Sequence, residues 1–224
     1  MPEIEKLQIL GHPVLYRPAA VAESTRGTLI LLHGYGADEY DLMGLTPYFD
    51  PNFHIVSIRG PGKTPFGGAC WFDIDMNADG SLRFNFEQAL RSSEAVQQII
   101  FELKAREALN SGKLILGGFS QGATISNLLA LTSPKILDGL LIMSGRLDQT
   151  ARQLLRDVDE VSNLPVFAAH GTLDQVIPVN FGRDLVAFWS TLPVQLEHHE
   201  YNMAHEISQE ELVHITQWLA VHFS

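Results

Sequence analysis

Gly118-Phe119-Ser120-Gln121-Gly122 sets a hydroxyl between two glycines at the point where a short apolar run gives way to a helical pattern. The run is Lys113-Leu114-Ile115-Leu116, of strand length, and beyond the serine Ala123, Ile125, Leu128 and Leu129 recur at helical spacing. A serine on so sharp a strand-to-helix turn has strained backbone angles, and side chains two residues to either side would collide where strand and helix cross. Gly118 and Gly122 remove those side chains. Ser120 then projects above the strand end as a candidate nucleophile, and the Gln121 N–H at the helix start points where an oxyanion would form. The competing reading is a glycine-rich helix entry with an N-capping serine.

A serine hydroxyl is a weak nucleophile until a base takes its proton, and the base needs an acid to orient it. Val166-Phe167-Ala168-Ala169 reads as a strand, and His170-Gly171-Thr172-Leu173-Asp174 leaves its carboxyl end, the edge where open α/β sheets gather their chemistry. Asp174 is the candidate acid; alternatively it supplies an N-terminal charge to the helix that begins near Pro178. Five histidines follow it: His198 and His199 at the end of a strand begun by Val194, His214 and His222 inside the last helix, and His205 in the loop between. A loop at the sheet edge can carry an imidazole over Ser120, so His205 is the candidate base. Adjacent His198 and His199 point to opposite faces of a strand, and no His-x-x-x-His or cysteine pair supports zinc, so no metal is expected. A second oxyanion donor is expected from His33-Gly34-Tyr35-Gly36-Ala37-Asp38, a glycine-flanked turn after the run Thr28 to Leu32, with the Tyr35 N–H as the candidate.

These groups need a sheet to hold them. Apolar runs at Leu7 to Leu10, Thr28 to Leu32, His54 to Ile58, Leu114 to Leu116, Leu140 to Met143, Val166 to Ala169 and Val194 to Leu196 alternate, for the most part, with helical patterns. The longest pattern has Val96, Ile99, Ile100 and Leu103 on one face, and the last opens with a capping box, Ser208 and Glu211. Near-continuous apolar strands between helices imply an α/β fold, a mostly parallel central sheet covered on both faces, with an antiparallel edge where Leu7 to Leu10 meets Val14 to Arg17. One domain over residues 1–224 is expected. Residues 145–165 leave no room for a large cap domain, so an open site is expected, walled by Phe66, Trp71, Phe72, Leu147 and Met203.

No apolar stretch is long enough for a membrane span, and the first ten residues lack the uninterrupted apolar segment of a secretory signal. A single cysteine, Cys70, agrees with a reducing compartment, so a cytoplasmic location is expected. A formal charge of −11 argues against nucleic acid and anionic membranes as partners.

At this point the chain resembles the carboxylesterase, lysophospholipase and acyl-protein thioesterase family of small α/β-hydrolases. The resemblance rests on Leu32-His33-Gly34-Tyr35-Gly36-Ala37-Asp38, Trp71-Phe72-Asp73, Gly117-Gly118-Phe119-Ser120-Gln121-Gly122, His170-Gly171-Thr172-Leu173-Asp174 and Met203-Ala204-His205-Glu206. It implies a Ser120, Asp174 and His205 triad, an oxyanion hole from the Tyr35 and Gln121 N–H groups, and Trp71 on a loop lining the acyl pocket. Tyr35 stands where leucine is common in that family. The expected activity is a cofactor-free serine esterase acting on short to medium acyl chains. Alternatives are an acyl-protein thioesterase, a lysophospholipase, and a ligand-binding protein that keeps the hydrolase fold without turnover. The expected partner is a small ester or thioester, and a homodimer is compatible with the sequence.

Overall fold

Leu10 and Gly11 take left-handed backbone angles, φ 50° and 85°, the pair a two-residue hairpin turn requires, and they join β1 (Glu5–Ile9) to β2 (His12–Arg17). The structure, a computed structural model, describes residues 2–21, 24–76, 82–106 and 112–224. After the hairpin come β3 (Gly27–Leu32), buried throughout, α1 (Glu39–Met43), capped by the Asp38 side chain, and β4 (Phe53–Ile58). Two small antiparallel pairs follow, β5 (Gly62–Lys63) with β6 (Ala69–Cys70) and β7 (Ile74–Met76) with β8 (Leu82–Phe84). The chain continues through α2 (Phe86–Lys104), β9 (Leu114–Phe119), α3 (Gln121–Thr132) and β10 (Gly139–Met143). It ends with β11 (Pro165–Gly171), α4 (Val179–Trp189), β12 (Gln195–Tyr201) and α5 (Gln209–His222).

The central sheet has eight strands in the order β1-β2-β4-β3-β9-β10-β11-β12, antiparallel across β1, β2 and β4 and parallel from β4 onward. Side chains alternate across each strand, so Ile30 and Leu32 pack with α2, α3 and α4 on one face while Leu29 and Leu31 pack with α1 and α5 on the other. This is the α/β-hydrolase fold. Between β10 and β11 the chain forms only two short helical turns, Thr150–Gln153 and Val158–Val161, and no cap domain. The carboxyl ends of β3, β9 and β11 therefore open on a surface covered by loops and the small β7–β8 pair.

One detail differs from the expectation. β12 runs to Tyr201, so His198 and His199 lie inside a strand; its half-buried polar residues follow from an edge position, with only one neighbour, β11. The region after Gly60 is pinned by the two small strand pairs, and residues 77–81 lie outside the described residues.

The capping box at α5 is half formed. The Ser208 hydroxyl accepts from the Glu211 N–H at 3.1 Å, but both Glu211 carboxyl oxygens are buried without a partner among the described residues. Burial raises this carboxyl from 4.5 to about 8. From about pH 4.5 to about pH 8 the unfolded chain loses a proton that the fold retains, so this group lowers stability as pH rises through that window. Glu211→Gln cannot ionise and removes the slope. Thermal melts should show the variant gaining on the parent between about pH 5 and about pH 8; a constant difference would contradict a neutral buried carboxyl.

Candidate active site

Ser120 sits between β9 and α3 at φ 56° and ψ −113°, a conformation that costs about 1–3 kcal/mol for a residue with a Cβ. Its neighbours hold it there. A Cβ on Gly118 would run into the Gly122 carbonyl, and one on Gly122 would run into the carbonyl of Leu32 on β3. Only two glycines let the helix start this close to the sheet. The Ser120 N–H donates to Met143 O on β10 at 3.0 Å, fixing the turn from the other side.

His205 lies in the loop between β12 and α5, with its Nε2 2.9 Å from Ser120 Oγ and its Nδ1 2.6 Å from Asp174 Oδ2. The Asp174 side chain is fully buried, yet each oxygen is engaged. Oδ1 accepts from the Val176 and Ile177 N–H groups, both at 2.8 Å, and Oδ2 faces His205 with His170 Nε2 3.4 Å away. Held by two backbone N–H groups, the carboxylate aims the imidazole, whose Nδ1–H then donates to Oδ2. Nε2 is left to accept from the serine. The two loops are tied to each other: Thr172 N–H donates to Tyr201 O at 2.8 Å and Leu173 N–H to Met203 O at 3.1 Å. The Phe119 ring supports the imidazole, with centroids 4.8 Å apart.

The glycine-flanked turn after β3 is held by buried polar groups. His33 Nε2 accepts from the Gly60 N–H at 3.0 Å and its Nδ1 lies 2.7 Å from Gly34 O, so Nδ1 carries the proton; burial pushes its pKa below the ordinary value and keeps it neutral. The Trp71 Nε1–H donates to His33 O at 2.9 Å. Gln121 uses its side chain on the same loop, accepting from the Trp71 N–H at 2.9 Å and donating to Phe72 O at 2.8 Å. The Tyr35 and Gln121 N–H groups donate to no described residue, and both residues line, with Ser120, a cavity of about 340 Å³. A tetrahedral oxyanion formed on Ser120 could accept from both.

Of the expected pocket residues the cavity keeps Phe72, and the rest are placed elsewhere. Phe66 is 98% exposed on the turn joining β5 to β6, so no other element packs over its side chain. Leu147 at 7% and Met203 at 5% exposure belong to the cores on opposite faces of the sheet. Trp71, at 2%, props the His33 turn from behind rather than facing the cavity. The apolar wall consists instead of Ile74 and Phe84 from the β7–β8 pair, Phe119, Val176 and Ile177, with Thr124 and Arg146 beside them. Ile74-Asp75-Met76 and Leu82-Arg83-Phe84 alternate apolar and charged residues, a period of two that could have revealed the pair. Cys70 is buried, and burial raises its thiol pKa. Among the described residues no three His, Cys, Asp or Glu side chains cluster as metal ligands.

An eight-stranded sheet of this order, with a strained serine after β9 and an Asp–His pair at the same edge, defines the class as α/β-hydrolase. The chain belongs to the Phospholipase/Carboxylesterase family, whose model matches residues 19–223. It is 27% identical to "Acyl-protein thioesterase 1" of Kluyveromyces lactis over 91% of this chain and 95% of that protein. Among solved structures it is similar to esterase PE8, with 26% identity, a TM-score of 0.76, and 92% and 97% of the two chains covered. A carboxylesterase from Mesorhizobium loti shares the fold at 24% identity and a TM-score of 0.78, over 97% and 98% of the chains.

The position of Trp71 leads to a prediction. Trp71→Phe removes the bond to the buried His33 carbonyl and should lower stability by about 1–3 kcal/mol. With the Tyr35 N–H on that turn as oxyanion donor for any acyl length, kcat/KM on p-nitrophenyl acetate and p-nitrophenyl octanoate is expected to fall by the same factor. A loss confined to octanoate would make the indole an acyl-pocket wall.

Proposed function

We propose that this protein is a serine hydrolase that cleaves carboxylic esters of short to medium acyl chains through an acyl-enzyme. Ser120 Oγ attacks the carbonyl carbon while His205 Nε2 takes its proton. The tetrahedral oxyanion accepts from the Tyr35 and Gln121 N–H groups, and His205 returns the proton to the departing alcohol. Water then repeats the sequence on the acyl-serine and releases the acid. Asp174 keeps the proton on Nδ1 and stabilises the imidazolium that forms at each step. The reading is carried by one observation, the unbroken row from Ser120 Oγ through both His205 nitrogens to the buried Asp174. The cavity of about 340 Å³ supports a short to medium acyl group, and no described helix is long and apolar enough to cross a membrane. The substrate is read as a small molecule, and the single cysteine favours work in the reducing cytoplasm.

Thioester cleavage is the second reading, favoured by relatives such as the K. lactis acyl-protein thioesterase. The same residues would serve it, with a thiol as leaving group.

Ser120→Ala should lower kcat on p-nitrophenyl butyrate by roughly 10⁴ to 10⁶ with the fold intact by circular dichroism. Asp174→Asn should cost on the order of 10⁴, since the imidazole then favours the wrong tautomer. Retention of more than about a tenth of the parental rate by Ser120→Ala would overturn the assignment. Parallel assays on the matched butyryl thioester decide between the two readings.

A further inference from the structure

The described lining of the cavity above Ser120 includes one Lys or Arg side chain, Arg146. It follows β10 closely, and its guanidinium carbon lies 4.0 Å from the Phe84 ring centroid and 4.9 Å from that of Phe181. Contacts of a cation with ring faces use none of its N–H donors. Those donors make no hydrogen bond and no ion pair with any described residue, and only the Arg146 carbonyl is engaged, by the Thr124 hydroxyl at 3.5 Å. Thr124 is one helical turn beyond Ser120 on α3, and its hydroxyl also lies 3.5 Å from Ser120 O. Arg146 and Ser120 thus line one cavity, with Thr124 between their two segments.

A purely structural arginine would be expected to hold a carboxylate, and a mere wall would be apolar. Arg146 is neither. It is half-buried without a paired counter-charge, and burial lowers its pKa. Asp148 acts on it only through space and spends Oδ1 on the Thr150 N–H; Asp41, whose exposed carboxylate also lines the cavity, forms no ion pair with it. A planar fork of donors in an apolar pocket matches a planar carboxylate.

We propose that Arg146 is an anion subsite that binds a carboxylate at the far end of the acyl group, so that hemiesters of short dicarboxylic acids are the preferred substrates. The proposal rests on the reading of Ser120 as the acylated residue. Ser120 takes the acyl group, the alcohol leaves with the proton from His205, and water releases the free dicarboxylate. With the protein as a whole at −11, attraction for such an anion has to come from a local cation.

The test compares monoethyl glutarate with ethyl pentanoate, equal in acyl length and differing in the terminal carboxylate, by pH-stat assay of the parent, Arg146→Met and Arg146→Lys. The parent should favour the hemiester by about tenfold or more in kcat/KM, the effect of a charge-assisted pair. Arg146→Met should abolish that preference, and Arg146→Lys should restore part of it. Because both esters are measured on each protein, a general loss of folding cancels from the ratio. A ratio that is the same in parent and Arg146→Met overturns the subsite. If the parent cleaves neither ester, the hydrolase reading itself has failed, and calorimetric titration with glutarate still decides the subsite: weaker binding to Arg146→Met than to the parent upholds it, and equal binding overturns it.

Discussion

The close crossing of β9 and α3 is the constraint on which the rest of the site depends. Gly118 and Gly122 allow backbone to meet backbone there, and Ser120 absorbs the consequence as a strained φ of 56°. Such strain persists only where the surroundings over-determine it. Here β3 supplies the Leu32 carbonyl against Gly122 and β10 supplies the Met143 carbonyl to the Ser120 N–H. Both are interior strands of an eight-stranded sheet, so the hydroxyl is held by the least deformable part of the molecule.

Everything that meets the hydroxyl comes from loops, and each loop is fastened through a buried polar group. Asp174 is fixed by two backbone donors of its own turn, the His205 loop by backbone bonds to residues 172 and 173, and the turn after β3 by His33 and Trp71. Gln121 joins two tasks. As the first residue of α3 it lines the cavity beside Ser120, while its side chain pins Trp71 and Phe72. The loop after β4 is thereby locked to the start of the same helix that presents the serine, and a change in either would disturb the other.

What could be read in the sequence was what is local. Glycine on both sides of Ser120 is a steric demand that five residues state by themselves, and a strand followed by His170 to Asp174 places the acid from its own neighbourhood. The parallel sheet followed from apolar runs that needed no partner to be recognised. Side-chain direction was not legible. Phe66, Leu147 and Met203 have the right chemistry for a pocket wall, yet which way each points is set by strands and turns distant in sequence. Trp71 was found in the right loop but turned toward His33. Arg146 was passed over because its significance is an absence of partners, which no sequence displays, and the extent of β12 as far as Tyr201 was missed because the half-buried polar residues of an edge strand carry a weak apolar pattern.

The proposed mechanism requires that Ser120 is the residue that becomes acylated. The direct measurement is peptide mapping by mass spectrometry after brief treatment with a fluorophosphonate, beside the same treatment of His205→Ala. A single phosphonyl adduct on the peptide containing Ser120, formed far more slowly in His205→Ala, is the predicted result. An adduct on another serine, or an unmodified Ser120 in protein that hydrolyses esters, would contradict it.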